Sequence, residues 1–229
     1  MLDQSTQREW AKVQGRFEDI AFQEPPTQQT RLLVNSLKIT QPEILYKNLP
    51  ALSQIASEAI DAGWCPSLMK GEEFQKLCEH AYPFHPSALV VLPYIFKRLA
   101  QNERSIFAFL TSFEPFGFQE FLRNNFTPTF LRLFDLFDYI TANFQGRLYA
   151  SNRARAITET LERLNTTTEL SQLEINVLKT IGLLNWLGEV SPIQATEALL
   201  SSALVSDEVS YASIRQALAG LKKRSVIVF

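Results

Sequence analysis

The sequence predicts a mainly α-helical protein, a helical bundle followed by a smaller helical unit that closes on a short β-strand. Three observations carry that reading. Only 8 of the 229 residues are Gly, while Leu, Ala, Gln and Glu, all good helix formers, are plentiful. After residue 25, apolar residues recur at three- and four-residue spacing, the stripe that one buried helix face needs. Pro, Gly and small polar residues interrupt these stripes where helices would start and stop.

The elements follow in order. Ile20 and Phe22 share one face of a short strand, ended by Glu24-Pro25-Pro26 because two prolines cannot continue a ladder. Thr27 is placed to cap the first helix, with Leu32, Leu33, Ser36 and Leu37 on its inner face. Pro42 and Pro50 each mark the start of a further helix. Leu52, Ile55, Ala56, Ala59 and Ile60 form a stripe that Gly63 terminates. Tyr82 to Ser87, with two prolines, is a turn before a helix over 87–100 that Pro93 kinks or opens. Residues 101–105 open another helix, buried through Ile106, Phe107, Phe109 and Leu110, and 114–118 break the chain again. Thr127-Pro128-Thr129 starts a helix through Phe130, Leu133, Phe134, Phe137 and Ile140; the next runs over 151–164, and Thr166 to Thr168 form a hinge.

The last segment is the most regular. One helix covers Ser171 to Leu187, and a second, capped by Ser191 with Pro192 at its first position, runs through Leu200. A third covers Asp207 to Leu221, with Val209, Ile214, Leu218 and Leu221 turned inward, and Ser225 to Phe229 reads as a strand. Three short helices and a strand is the order of a winged helix-turn-helix unit. The expected divisions are 1–24, 25–125 (a bundle), 126–165 (connecting helices) and 166–229.

Bulk properties narrow the function. Hydrophobic residues make up 46% and charged residues 20%, the balance of a globular chain rather than a disordered one. A net charge of -2 gives no global attraction to nucleic acid or anionic lipid, so any such binding would be local. The start is polar and the longest apolar run, Ala88 to Leu92, falls far short of a membrane span. Two cysteines form no disulfide framework, which points to a reducing, cytoplasmic setting without a membrane partner.

Familiar catalytic motifs are missing. None of the 8 glycines precedes lysine, so no G-x-x-x-x-G-K phosphate loop exists, and neither G-x-S-x-G nor H-E-x-x-H occurs. Cys65, Cys78, His80 and His85 cluster in sequence but lack the paired spacing of a zinc knuckle. No metal is expected; a buried Cys and a turn-capping His are the plain reading.

Other residues carry a resemblance. Glu9 to Ile20, containing Gly15-Arg16-Phe17, followed by Phe22, Pro25-Pro26 and a helix with Arg31-Leu32-Leu33, resembles the end of an AAA+ ATPase core of the origin-recognition type, where it joins the helical lid. Tyr82 to Pro86 and Phe96 to Leu110 are similar to lid stretches of large bacterial P-loop ATPases, including those of phage-defence clusters. The resemblance implies that Arg16 is an arginine finger, reaching a neighbour's γ-phosphate with a planar guanidinium, and that Arg104, or its competitor Arg98, senses nucleotide. The alternatives are a surface arginine before a strand and a helix-start ion pair with Glu103.

The segment from Leu178 to Asn185 and the close from Leu218 to Val228 resemble the winged-helix domain that follows such lids. In a DNA-binding version, Arg215, Lys222, Lys223 and Arg224 would make the phosphate contacts, yet residues 165–229 hold five Lys/Arg against six Asp/Glu. A protein-facing winged helix fits that balance better. The resemblance therefore implies a lid and winged-helix portion without the nucleotide-binding core. No cofactor is expected in this chain alone, and ATP with Mg would sit in a parent complex. The expected partners are a P-loop ATPase core or neighbouring subunit, with DNA or a second copy as further candidates. On this expectation the segment starts after a phosphate loop and stops on an unpaired strand. Rival expectations are a stand-alone winged-helix regulator and a helical adaptor.

Overall fold

The computed structural model describes residues 24–40, 42–99, 106–125, 129–149 and 154–227. Eleven helices stand among them: α1 Pro26–Ser36, α2 Pro42–Ala62, α3 Gly71–His80, α4 Pro86–Leu99, α5 Ile106–Thr111, α6 Phe118–Asn124, α7 Leu133–Tyr149, α8 Arg155–Thr166, α9 Gln172–Leu187, α10 Glu197–Leu204 and α11 Tyr211–Lys223. The first strand, with Ile20 and Phe22, lies outside the described residues, as does the opening at 101–105.

Two helices form the axis of the molecule because their sequences are apolar nearly all round. In α4 every residue from Pro86 to Pro93 is buried, as are Ile95 and Phe96. In α9 nine residues are buried, among them Leu178, Leu183, Leu184 and Trp186. A helix without a polar face must be surrounded, and these are. Helices α1, α2, α5, α7 and α9 pack on α4, whereas α4, α7, α8, α10 and α11 pack on α9. One core runs without interruption from Leu33 to Ile227 and joins all three segments expected beyond residue 24.

Helix starts differ from expectation where proline or pairing intervenes. Pro26, not Thr27, opens α1, and the carbonyl of Pro25 takes the first N–H groups. The inner face is Thr30, Leu33 and Val34; Leu32 is exposed. The two helices expected from Pro42 and Pro50 are one, with Pro50 on its solvent side, where water can take the carbonyl that the missing N–H releases. Pro93 likewise lies inside α4. The helix expected from Thr129 begins only at Leu133, because Leu131 is held extended in a parallel bridge with Phe84, its N–H on Pro83 (2.8 Å) and its carbonyl on the His85 N–H (3.0 Å). Phe107, expected inside, is exposed, and Phe109 and Leu110 bury α5.

The C-terminal helices obey their caps. Ser171 and Glu174 form a reciprocal capping box at the start of α9, as the S-x-x-E spacing allows. Helix α10 starts at Thr196, which accepts from Leu199, rather than at Ser191; the Ser191 hydroxyl is occupied by the Ile193 N–H in a local turn. Helix α11 is capped by Ser210, and Ile214, Leu218 and Leu221 are buried as expected.

Two helix ends share one device. After α2, Gly63 (φ 99) donates to Ile60 and Trp64 donates to Ala59, so the chain reverses and Trp64 is buried. After α11, Ser225 (φ 56) donates to Lys222 and Val226 to Leu221, and Val226 is buried against the helix it ends. Both are Schellman closures, which call for Gly at the left-handed position. The expected strand therefore does not begin at Ser225; Val228 and Phe229 lie outside the described residues. Ser225→Gly is expected to raise stability by about 1 kcal/mol, since a Cβ in the left-handed region costs about that much. A urea midpoint unchanged or lowered in this variant would contradict the closure.

Candidate functional site

The residues singled out in the sequence separate into three places. Arg16 and Arg104 lie outside the described residues. Arg98 sits in the last turn of α4, with its side chain only 8% exposed. Its guanidinium bonds Glu189 at 3.0 Å and lies 5.2 Å from the centre of the Trp186 ring. It thereby joins the end of α4 to the end of α9. A cation over indole in a desolvated setting is worth more than the ion pair it also makes.

Three of the four basic candidates, Lys222, Lys223 and Arg224, stand at the C-terminal end of α11, and Arg215 lies in its first half. Arg215, Lys222 and Lys223 are exposed. Arg224 instead turns back to Glu174 of α9 and the Gly220 carbonyl. Burial pushes the Glu174 carboxyl up, but the Ser171 bonds and Arg224 outweigh it and hold the group below its usual range. At the other end of α11, Tyr211 donates to Glu58 of α2 at 3.3 Å. The first turn of a recognition helix is the part that enters the major groove, and here a carboxylate stands beside it.

The structure also assembles a polar cluster that the sequence did not announce. Arg132, at the N-cap of α7, is 8% exposed and donates from Nη1 to the Ala203 carbonyl in the last turn of α10 (2.6 Å). A cation there also meets the negative end of the helix dipole. Its backbone N–H is held by Asp135 (2.7 Å), three residues on, the N-cap to N3 relation of a capping box. Phe130 lies below, 5.9 Å from the guanidinium and 6.0 Å from the ring of His85. His85 caps α4: Nδ1 accepts the Ser87 N–H (3.2 Å), so the neutral ring carries its proton on Nε2. A turn-capping His, as expected, is present at His85, and Cys78 is buried, its thiol far above its usual range through desolvation. Among the described residues no group of three or more His, Cys, Asp and Glu could hold a metal.

Burial sets the protonation of this cluster. Desolvation lowers Arg132 to about 10, with Asp135 and Asp207 opposing. It raises Asp135 to about 6, partly offset by the Arg132 N–H. It lowers His85 well below the usual imidazole range, and the Arg132 charge adds to this. The two acid-range groups act in opposite directions. The contribution of Asp135 is full below its ordinary 3.8 and lost as pH rises through about 6. That of His85 is present above 6.5 and lost as pH falls below it. Relative to wild type, His85→Asn is therefore expected to gain stability on acidification and Asp135→Asn to lose it, each by up to about 1.4 kcal/mol per pH unit. Urea unfolding between pH about 7 and about 4.5 checks this; profiles parallel to wild type would contradict it.

A further groove of about 630 Å³ lies between α1 and α3, with Val34, Leu37 and Leu77 at its base and Lys70, Glu72 and Lys76 among its charged walls. No helix among the described residues is long and apolar enough to cross a membrane. No protein-family model, curated protein or solved structure matches the chain.

Proposed function

We propose that this chain is the helical lid and winged-helix portion of an AAA+-like ATPase system, possessing no nucleotide site of its own but completing or sensing one in a P-loop partner, in an antiviral setting. One observation supports it above the others. Arg98, six residues before the candidate sensor Arg104, is locked to α9 through Trp186 and Glu189, and α9 is the helix on which α10 and α11 pack. A displacement at the end of α4 would reach the C-terminal helices through packed side chains. Arg16 and Arg104 carry the nucleotide contacts in this reading, with ATP and Mg supplied by the partner. The finer assignment of α9–α11 as a winged helix belongs to the same proposal.

The test is capture of partners by the tagged chain with and without a non-hydrolysable ATP analogue. The proposal expects a P-loop ATPase whose retention depends on the analogue and is lost in Arg104→Ala. Recovery of no P-loop protein in either state would contradict it.

The exposed Arg215, Lys222 and Lys223 favour a second reading, duplex DNA binding by α11. Three phosphate contacts give a log–log salt slope of about -3 that triple neutralisation abolishes. The carboxylates of Glu58 and Glu174 beside this helix weigh against it.

A further inference from the structure

Helices α5 and α6 and the turn between them display large apolar side chains that the core does not bury. Phe113 is 68% exposed, Phe116 55%, Phe107 52% and Leu122 45%. The turn is not a loose loop. Tyr139 of α7 donates to Glu114 (2.7 Å), Asn143 of α7 donates to the Pro115 carbonyl (2.8 Å), and the Phe116 N–H is taken by Glu120. The chain is thus fastened from below while its rings point outward. Phe116 also sits at φ 58, a left-handed conformation that a bulky side chain adopts only against strain. The bonds at Glu114, Pro115 and Glu120 hold the turn in that conformation and leave the ring in solvent.

We infer that this face is a self-association surface, closed by a second copy of the chain about a two-fold axis. The size of the patch argues for this occupant. Taking 150–250 Å² for each large side chain, the four residues present roughly 400 Å² of apolar surface. Homodimer interfaces are about two-thirds apolar, so such a core corresponds to roughly 600 Å² per partner, at the lower edge of specific interfaces. The chemistry is self-complementary. Arg123 lies 4.9 Å from the Phe113 ring in its own copy, and a two-fold axis would bring a second such pair onto the same face. A net charge of -2 per chain opposes pairing only weakly. This inference is independent of the ATPase assignment above and survives its failure.

Sedimentation analysis of the full chain tests it. A dimer with a Kd in the micromolar range is expected, populated well below roughly 100 µM. The double variant Phe113→Ser/Phe116→Ser is expected to raise that Kd at least about tenfold. Phe116→Gly is expected to weaken the dimer while raising the melting temperature of the monomer, because it removes both the ring and the strain. A wild-type chain that stays monomeric to roughly 200 µM would overturn the inference. So would a double variant that dimerises as well as wild type.

Discussion

Gly182→Ala is expected to cost about 2–3 kcal/mol, although alanine is the better helix former. Gly182 lies in the middle of α9, where glycine alone costs about 1 kcal/mol in helix propensity. The cost is accepted because α8 passes close by. A Cβ at Gly182 would stand 2.9 Å from both Cβ and Cγ2 of Thr160, distances that real contacts do not reach. Thr160 cannot swing aside easily. It is 7% exposed, and its hydroxyl bonds the Ala156 carbonyl of its own helix (2.7 Å). The two axes must separate, and with them the contacts of Ile157 and Ile181 in the core they share. Thr160→Ala removes the clashing methyl and hydroxyl but keeps the Thr160 Cβ, also at 2.9 Å, so the double variant Thr160→Ala/Gly182→Ala should recover part of the loss. A coupling energy near zero in that double-mutant cycle would contradict the close approach.

Arg132→Ala is expected to cost about 3 kcal/mol, and more than any exposed ion pair of the molecule. The guanidinium is the donor to the Ala203 carbonyl and the counter-charge of Asp135, so its removal strands both in a desolvated place. Arg132→Met keeps much of the volume and should lose roughly half as much. The loss should concentrate where the arginine acts. Hydrogen exchange is expected to quicken around the last turn of α10, and the Asp135 carboxyl to move further above about 6 once a cation that stabilised its charge is gone. Uniform exchange and an unmoved Asp135 would mean that Arg132 does not tie α10 to α7.

Much of the fold was legible because local rules governed it. The stripe ending at Gly63 and the inward set Ile214, Leu218 and Leu221 depend on neighbours a few residues apart, and both stand as expected. One departure came from a partner distant in sequence and two from local turns. Phe130 reads as the start of an apolar helix, but Leu131 is claimed by Phe84. Ser191-Pro192 has the composition of a helix start, yet Thr196 makes the cap. Ser225-Val226-Ile227 has the composition of a strand, yet its first residues close α11. The polar cluster was not read from the sequence: the Asp135 bond to the Arg132 N–H is local, but the Ala203 carbonyl lies 71 residues away. Arg98 was singled out as a nucleotide contact from its surroundings in sequence; its stacking on Trp186 and pairing with Glu189 depend on a helix that the sequence does not place beside it. Phe107 shows the reverse case, an apolar residue that periodicity would bury and the structure leaves out.

The central claim, that this chain serves a nucleotide held by another protein, is most directly tested by titrating Mg·ATP into the purified chain and into the complex recovered with it. The account predicts no saturable binding to the isolated chain, and binding to the complex that weakens at least about tenfold in Arg104→Ala, the loss of one charge-assisted contact to phosphate. Tight binding of ATP by the chain alone, or a complex indifferent to Arg104, would contradict it.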